Sequence, residues 1–227
     1  MTRRAAPIGV FDSGVGGLTV LAALRRQLPQ QHFIYLGDTA RLPYGTKSAE
    51  TIQRYALRAA SALVDRGIGL LVVACNTASA VALPALRERF ADLPVVGVVE
   101  PGAEAACAES RSGNIAVLAT EGTVRGGAYR RAILARRADA EVTSLACPVF
   151  VALAEEGWHH NAAAQVARIL DHGASVVAAG DPIAPVPAAT PLLLSCLATD
   201  NAERFARVGA RFLGESLEVS QVEVIDI

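Results

Sequence analysis

Residues 70–79 read Leu70-Leu71-Val72-Val73-Ala74-Cys75-Asn76-Thr77-Ala78-Ser79. The first five are apolar without interruption, the pattern of a strand covered on both faces of its sheet. The chain then turns polar at once, so Cys75, Asn76 and Thr77 fall where a strand ends and a helix begins. Oriented N–H dipoles at a helix start favour thiolate and predict a Cys75 pKa below the usual ~8.5. The competing fate of such a residue is burial as a small apolar side chain. The polar Asn-Thr neighbours favour the reactive role, with Asn76 and Thr77 placed to bind a carboxylate through side chain and backbone.

Upstream, Ile8 to Phe11 reads as a strand, followed by a helix with Leu18, Leu21, Leu24 and Leu28 on one face. Phe33 to Leu36 is a second strand. Residues 49–66 form an amphipathic helix with Ile52, Tyr55, Ala59 and Leu63 inward, and Pro94 to Val99 is a further strand. Downstream, strands over 115–119, 142–145 and 174–177 alternate with helices over 122–136 and 161–171. Four prolines in residues 182–191 make that stretch a loop or linker. Strand 192–196, helix 200–213 and strand 222–225 close the chain, with Asp200 as N-cap and Gly214 as helix stop. Such alternation implies an α/β fold with mostly parallel sheets. Gly9 to Val15 and Ala116 to Gly122 also echo each other: an apolar strand, a polar pair, then a glycine turn into a helix. Two such halves facing each other would set their strand ends around a shared cleft, although any two βα units look alike.

Composition narrows the function. The 227 residues are 52% hydrophobic and 19% charged, with a net charge of −1 and a mean hydropathy of +0.35. That suits a well-buried globular protein and gives no electrostatic reason to expect nucleic acid or a membrane surface as partner. No apolar run approaches the ~20 residues of a bilayer span, and the basic start leads into a strand and not into a signal core. The four cysteines at 75, 107, 147 and 196 are scattered without CxxC pairs, which argues for free thiols in a cytoplasmic protein.

A second motif, Asp12-Ser13-Gly14-Val15-Gly16-Gly17, follows the first strand directly. As a dinucleotide loop, supported by Asp38 at the end of the second strand, it is incomplete, because Thr19 stands where the third glycine belongs. A tight βα turn is one alternative. The other has Asp12 and Ser13 aimed into the cleft to meet a substrate ammonium or a reacting thiol. Gly45-Thr46-Lys47-Ser48 lacks the Gly-Lys pair of a phosphate loop.

Residues 8–20, Tyr35 to Thr39, Pro43-Tyr44-Gly45, Val73 to Ala78, Pro94 to Pro101, Ala119 to Val124, Ala146-Cys147-Pro148 and Glu155-Glu156-Gly157 together resemble the glutamate racemases of the aspartate/glutamate racemase family. These segments follow one another in family order over residues 7–158, and the tail from Thr199 to Gly214 resembles the family's closing helix. The resemblance implies two similar three-layer α/β domains around a shared cleft: residues 1–97, a shortened 98–190, and a 191–227 strand-helix-strand returning to the first half. It implies interconversion of L- and D-glutamate for peptidoglycan by two cysteines on opposite faces of the substrate, with no cofactor and no metal. Thiols suit this because their pKa lies near working pH and is easily tuned. Cys75 would be one of the pair, with Asp12 hydrogen-bonding or tuning it. Ser13, Pro43, Tyr44, Gly45, Asn76 and Thr77 would anchor glutamate, Thr120 and Thr123 would line the opposing half, and Glu155 would support the second base. A homodimer is implied as well.

The sequence departs from the family in one place. The segment that carries the second cysteine, Gly-Cys-Thr-His-Tyr-Pro in kind, has no counterpart between Trp158 and Gly173. Cys147 matches a family position without a catalytic role, Cys107 lies on an alanine-rich helix, and Cys196 echoes a strand-end cysteine but is followed by Leu197-Ala198. The second base is therefore unassigned, with Cys196 a weak candidate, and His159, His160 and His172 read as surface residues. Three readings follow: a racemase reduced to one-base proton exchange, a one-thiol lyase or decarboxylase, and a non-catalytic carboxylate binder. Loss of a strand also predicts a weakened or rearranged second half, or compensation by dimerisation.

Overall fold

The structure, a computed structural model, describes residues 6–155 and 194–227. Six strands form one sheet: β1 (Ile8–Asp12), β2 (Phe33–Gly37), β3 (Leu70–Val73), β4 (Val95–Gly97), β7 (Leu194–Ala198) and β8 (Val222–Val224). Their order is β4-β3-β1-β2-β7-β8, and every pairing is parallel. β5 (Asn114–Ala119) and β6 (Glu141–Ala146) make a second parallel pair. The α/β class with parallel sheets is thus as the alternating sequence implies.

The two-residue period of the strands sorts the core into two layers. Phe11, Ile34, Leu36, Leu71, Val73 and Leu197 point toward helix α2 (Ala49–Val64). Val10, Phe33, Tyr35, Val72 and Cys196 point the other way, toward α1 (Leu18–Gln27) and α9 (Ala202–Leu213). β1, between β3 and β2, is buried at all five positions, so the short strand read there is covered on both faces. Around β5, a third cluster gathers Val99, Ala103 and Ala106 of α5 (Val99–Glu109) with Ala132 and Ile133 of α7 (Ala128–Arg136).

Several boundaries differ from the sequence reading, each for a local reason. The expected helix 122–136 is two helices, α6 (Glu121–Gly126) and α7, because Gly127 adopts φ 62° between them. The strand expected over 94–99 stops at Gly97, and α5 takes over at Val99 with Pro101 in its first turn, where a missing N–H costs nothing. Strand 192–196 runs on to Ala198, in register with β2 through Tyr35 and Cys196. Asn201 and not Asp200 caps α9, its side chain accepting from the Arg204 N–H. Gly214 ends that helix at φ 77°, as expected. Leu28 is 44% exposed because α1 has already ended at Gln27. The expected helix 161–171, strand 174–177 and loop 182–191 lie outside the described residues.

Candidate active site

Parallel strands deliver their carboxyl ends to one side of the sheet, where clefts form. There Asp12 ends β1, and Cys75 follows β3 as the N-cap of α3 (Asn76–Val81). A cavity of about 620 Å³ opens at these ends, walled by Asp12, Ser13, Pro43, Cys75, Asn76 and Thr77 from the first half. Thr120, Thr123, Tyr129 and Cys147 from the second half line it also.

Cys75 is only 5% exposed. Its thiol donates to Ser13 Oγ at 3.4 Å, and its sulfur accepts from the Ala78 N–H at 3.4 Å. Burial and then the neighbouring Asp12 charge push its pKa up to about 11, against smaller lowering by the Ser13 and Ala78 bonds. The expected depression is therefore reversed. The six-residue helix supplies the predicted N–H contact, but loss of water around the sulfur outweighs it.

Asp12 is held by the turn that follows it. Its Oδ2 accepts from the Gly14 N–H (3.2 Å), the Gly17 N–H (3.0 Å) and the Tyr35 hydroxyl (3.4 Å). A Cβ on Gly17 would stand 2.7 Å from Asp12 Cβ, so glycine is needed for this approach. Burial raises the Asp12 pKa against the pull of these bonds. Asp12 thus acts on Cys75 through its charge, while its hydrogen bonds order the glycine turn.

Thr77, Thr120 and Thr123 form a triangle of hydroxyls, with oxygens 2.9, 3.1 and 3.0 Å apart. Thr77 begins on α3 and the other two on the start of α6, so the triangle joins the halves at the cavity. Gly45 makes the same seam possible: a Cβ there would lie 2.4 Å from Thr120 Cβ. Asn76 is exposed to the cavity, and its Oδ1 accepts from the Tyr129 hydroxyl at 2.6 Å.

Not every expected residue reaches the wall. Tyr44 is 1% exposed, with its ring against Phe11 and Tyr55 and its hydroxyl given to Asp38 Oδ2 at 2.6 Å. Neither it nor Gly45 lines the cavity; from that loop Leu42 and Pro43 do. Asp38, the acidic residue of the dinucleotide reading, also accepts from Arg41 and Thr199, each at 2.8 Å. It is wholly buried in that network and clasps the loop to the C-terminal segment.

Cys196 lies on the other face of the sheet, among the residues under α1 and α9. Burial chiefly pushes its pKa up to about 12, with Arg25 lowering and Glu215 raising it less. It does not line the cavity, whereas Cys147, at the end of β6, does. Cys107 packs as expected, on α5 against Ile133. Glu155 is the last residue of α8 (Val149–Glu155) and its side chain lies outside the described set, as do His159, His160 and His172. Sequence reasoning missed Tyr129, Phe150 and Phe212 on the wall, because nothing in their local pattern separates them from core aromatics. Among the described residues no three His, Cys, Asp or Glu side chains come together to hold a metal ion.

Comparison with known proteins bears on the family and the fold. The family profile described as Asp/Glu/Hydantoin racemase matches residues 8–180. A glutamate racemase of Geobacter metallireducens is 59% identical over 159 residues, 70% of this chain and 58% of that protein. One of Aquifex aeolicus is 54% identical over 150 residues, 66% of this chain and 58% of its own. The match therefore spans somewhat over half the length of these curated relatives. Among solved structures, the glutamate racemase of Francisella tularensis in complex with D-glutamate superposes with a TM-score of 0.82 at 28% identity, covering 98% of both chains. That of Thermus thermophilus in complex with β-chloro-D-alanine gives 0.78 at 36% identity, covering 100% of this chain and 99% of the other. With the profile match over residues 8–180, these identities and the shared fold, the chain belongs to the Asp/Glu/Hydantoin racemase family.

Proposed function

We propose that the chain is a glutamate racemase-like isomerase in which Cys75 exchanges the α-proton of glutamate without a cofactor. The observation that carries this reading is the Cys75 thiol on a cavity wall, hydrogen-bonded to Ser13 and beside Asp12, in a cavity also lined by the Asn76 amide and the Thr77, Thr120 and Thr123 hydroxyls. Ser13, Asn76, Thr77, Thr120 and Thr123 would hold the carboxylates. An entering substrate ammonium brings positive charge toward Asp12 and Cys75, which favours the thiolate and brings the raised pKa down when a base is needed. The thiolate takes the α-proton and becomes a thiol, leaving a carbanion beside the carboxylate. Return of a solvent-exchanged proton from the same sulfur retains configuration; return from the opposite face inverts it.

Inversion needs a second acid, and its family segment has no counterpart in this sequence, so one-base exchange with little racemisation is the activity proposed. The 1–97, 98–190 and 191–227 partition and a cytoplasmic homodimer belong to the same proposal; Glu155 as support for a second base, and supply of D-glutamate to peptidoglycan, follow only where the exchange assay below finds inversion. No helix among the described residues is long and apolar enough to cross a membrane.

Deuterium exchange into L- and D-glutamate tests the reading. Exchange from one enantiomer with retention, abolished by Cys75→Ala, is expected. Exchange with inversion would identify a second acid, and its loss in Cys147→Ser would place that acid on the cavity wall. Absence of exchange from both enantiomers, with glutamate still bound, would leave a carboxylate binder and refute the catalytic reading.

A further inference from the structure

Tyr129 meets the cavity from the second half, on α7, and donates its hydroxyl to Asn76 Oδ1 at the start of α3 in the first half, at 2.6 Å. The ring is held in place. A Cβ on Gly102 of α5 would stand 3.0 Å from both Tyr129 Cε1 and its hydroxyl oxygen, so the ring lies flush on a helix that offers no side chain there. Burial pushes the tyrosine pKa up, which keeps the hydroxyl a donor through the neutral and mildly alkaline range.

A primary amide has two different ends, an oxygen that only accepts and an NH2 that only donates. Left free, Asn76 could turn either end to the cavity, and the oxygen would repel a carboxylate. We infer that Tyr129 is a positioning residue: by occupying Asn76 Oδ1 it commits the amide NH2 to the cavity and sets the affinity for a substrate carboxylate. This rests on the proposed carboxylate-binding role of the site. It also makes that affinity depend on the second half, since the bond crosses from α7 to α3.

The test compares wild type, Tyr129→Phe, Asn76→Ala and the double variant, using calorimetric titration with L- and D-glutamate, the exchange assay and thermal unfolding. Loss of this one neutral hydrogen bond, and with it the fixed amide orientation, corresponds to roughly a fivefold to tenfold rise in Kd for Tyr129→Phe. The KM for exchange rises by the same factor, with kcat changed less than about twofold, because the variant alters binding and not the proton transfer. In the Asn76→Ala background the tyrosine change adds less than about twofold, as expected when one residue acts through the other.

Wild-type affinity in Tyr129→Phe, or an equal loss with and without Asn76, overturns the inference alone. A wild-type protein that binds neither enantiomer overturns the functional reading and the inference with it. Should Tyr129→Phe fail to fold, Asn76→Asp carries the test. It keeps an oxygen for the tyrosine and turns the cavity-facing donor into an anionic acceptor, so glutamate affinity falls at least about tenfold below that of Asn76→Ala. Equal affinity of those two variants overturns the inference.

Discussion

Titration of Cys75 in the free protein tests whether burial or the helix start controls its reactivity. Its pKa stands at about 11 against 9.0 for an unperturbed thiol. At pH 8 that leaves roughly one thiolate in a thousand where an ordinary cysteine has about one in ten, a hundredfold deficit. The more basic thiolate is intrinsically more nucleophilic, with a Brønsted coefficient of about 0.4–0.5, and two pKa units recover about sixfold to tenfold. Alkylation of Cys75 by iodoacetamide should then run at least about tenfold slower than that of N-acetylcysteine at pH 8, and slower still through restricted access. The pH dependence separates the two causes, since access lowers all rates alike. The rate should keep climbing about tenfold per pH unit beyond pH 9, read by mass spectrometry of the Cys75 peptide. Asp12→Asn removes the second-largest raising influence, so the inflection moves to lower pH. An inflection at or below pH 9, or an upward movement in Asp12→Asn, would refute the argument that desolvation and Asp12 dominate.

Other consequences follow from the same contacts. Cys75 keeps its proton in the folded chain between pH 9 and about 11 while the unfolded chain has lost it. Stability is therefore intact below pH 9 and falls as pH rises toward 11, by up to about 3 kcal/mol from this group, measurable by urea unfolding across that range and absent in Cys75→Ala. Asp38→Ala strips the acceptor from Tyr44, Arg41 and Thr199 and should destabilise the chain by about 3–5 kcal/mol in chemical denaturation; a loss below about 1 kcal/mol would show that water replaces the carboxylate. Cys196→Ala, on the far face of the sheet, should leave glutamate binding and exchange unchanged while lowering stability by about 1 kcal/mol. Loss of exchange in that variant would return Cys196 to the site.

Residue patterns carried the first half well. The continuous apolar run at β3 announced a strand covered on both faces, and the polar residues after β1 and β3 sat at strand ends, where the cavity forms. What they could not carry was direction and depth. Tyr44 and Pro43 are adjacent in one loop, yet only Pro43 reaches the wall, because the tyrosine hydroxyl is drawn to Asp38. The Cys75 pKa was misjudged because a helix start is visible in sequence and burial by distant residues is not. Tyr129 was missed for the same reason: its partner is 53 positions away, on the other half. The single helix expected over 122–136 split at Gly127, whose left-handed backbone is a tertiary choice that the Gly126-Gly127 pair permits but does not dictate.

The return of β7 to β2 bears on how the chain is made. The Thr39 hydroxyl reaches the Asp200 carbonyl across 161 positions, and Tyr35 pairs with Cys196. Ribosomes add about 5–20 residues per second, so β2 waits roughly 8–32 seconds after its own synthesis for its β7 partner. During that interval the outer edge of β2 shows unpaired N–H and C=O groups beside an apolar face, the surface on which chains join one another. A chain stopped before Leu194 would keep that edge open permanently, so early termination turns this sheet into a seed for aggregation.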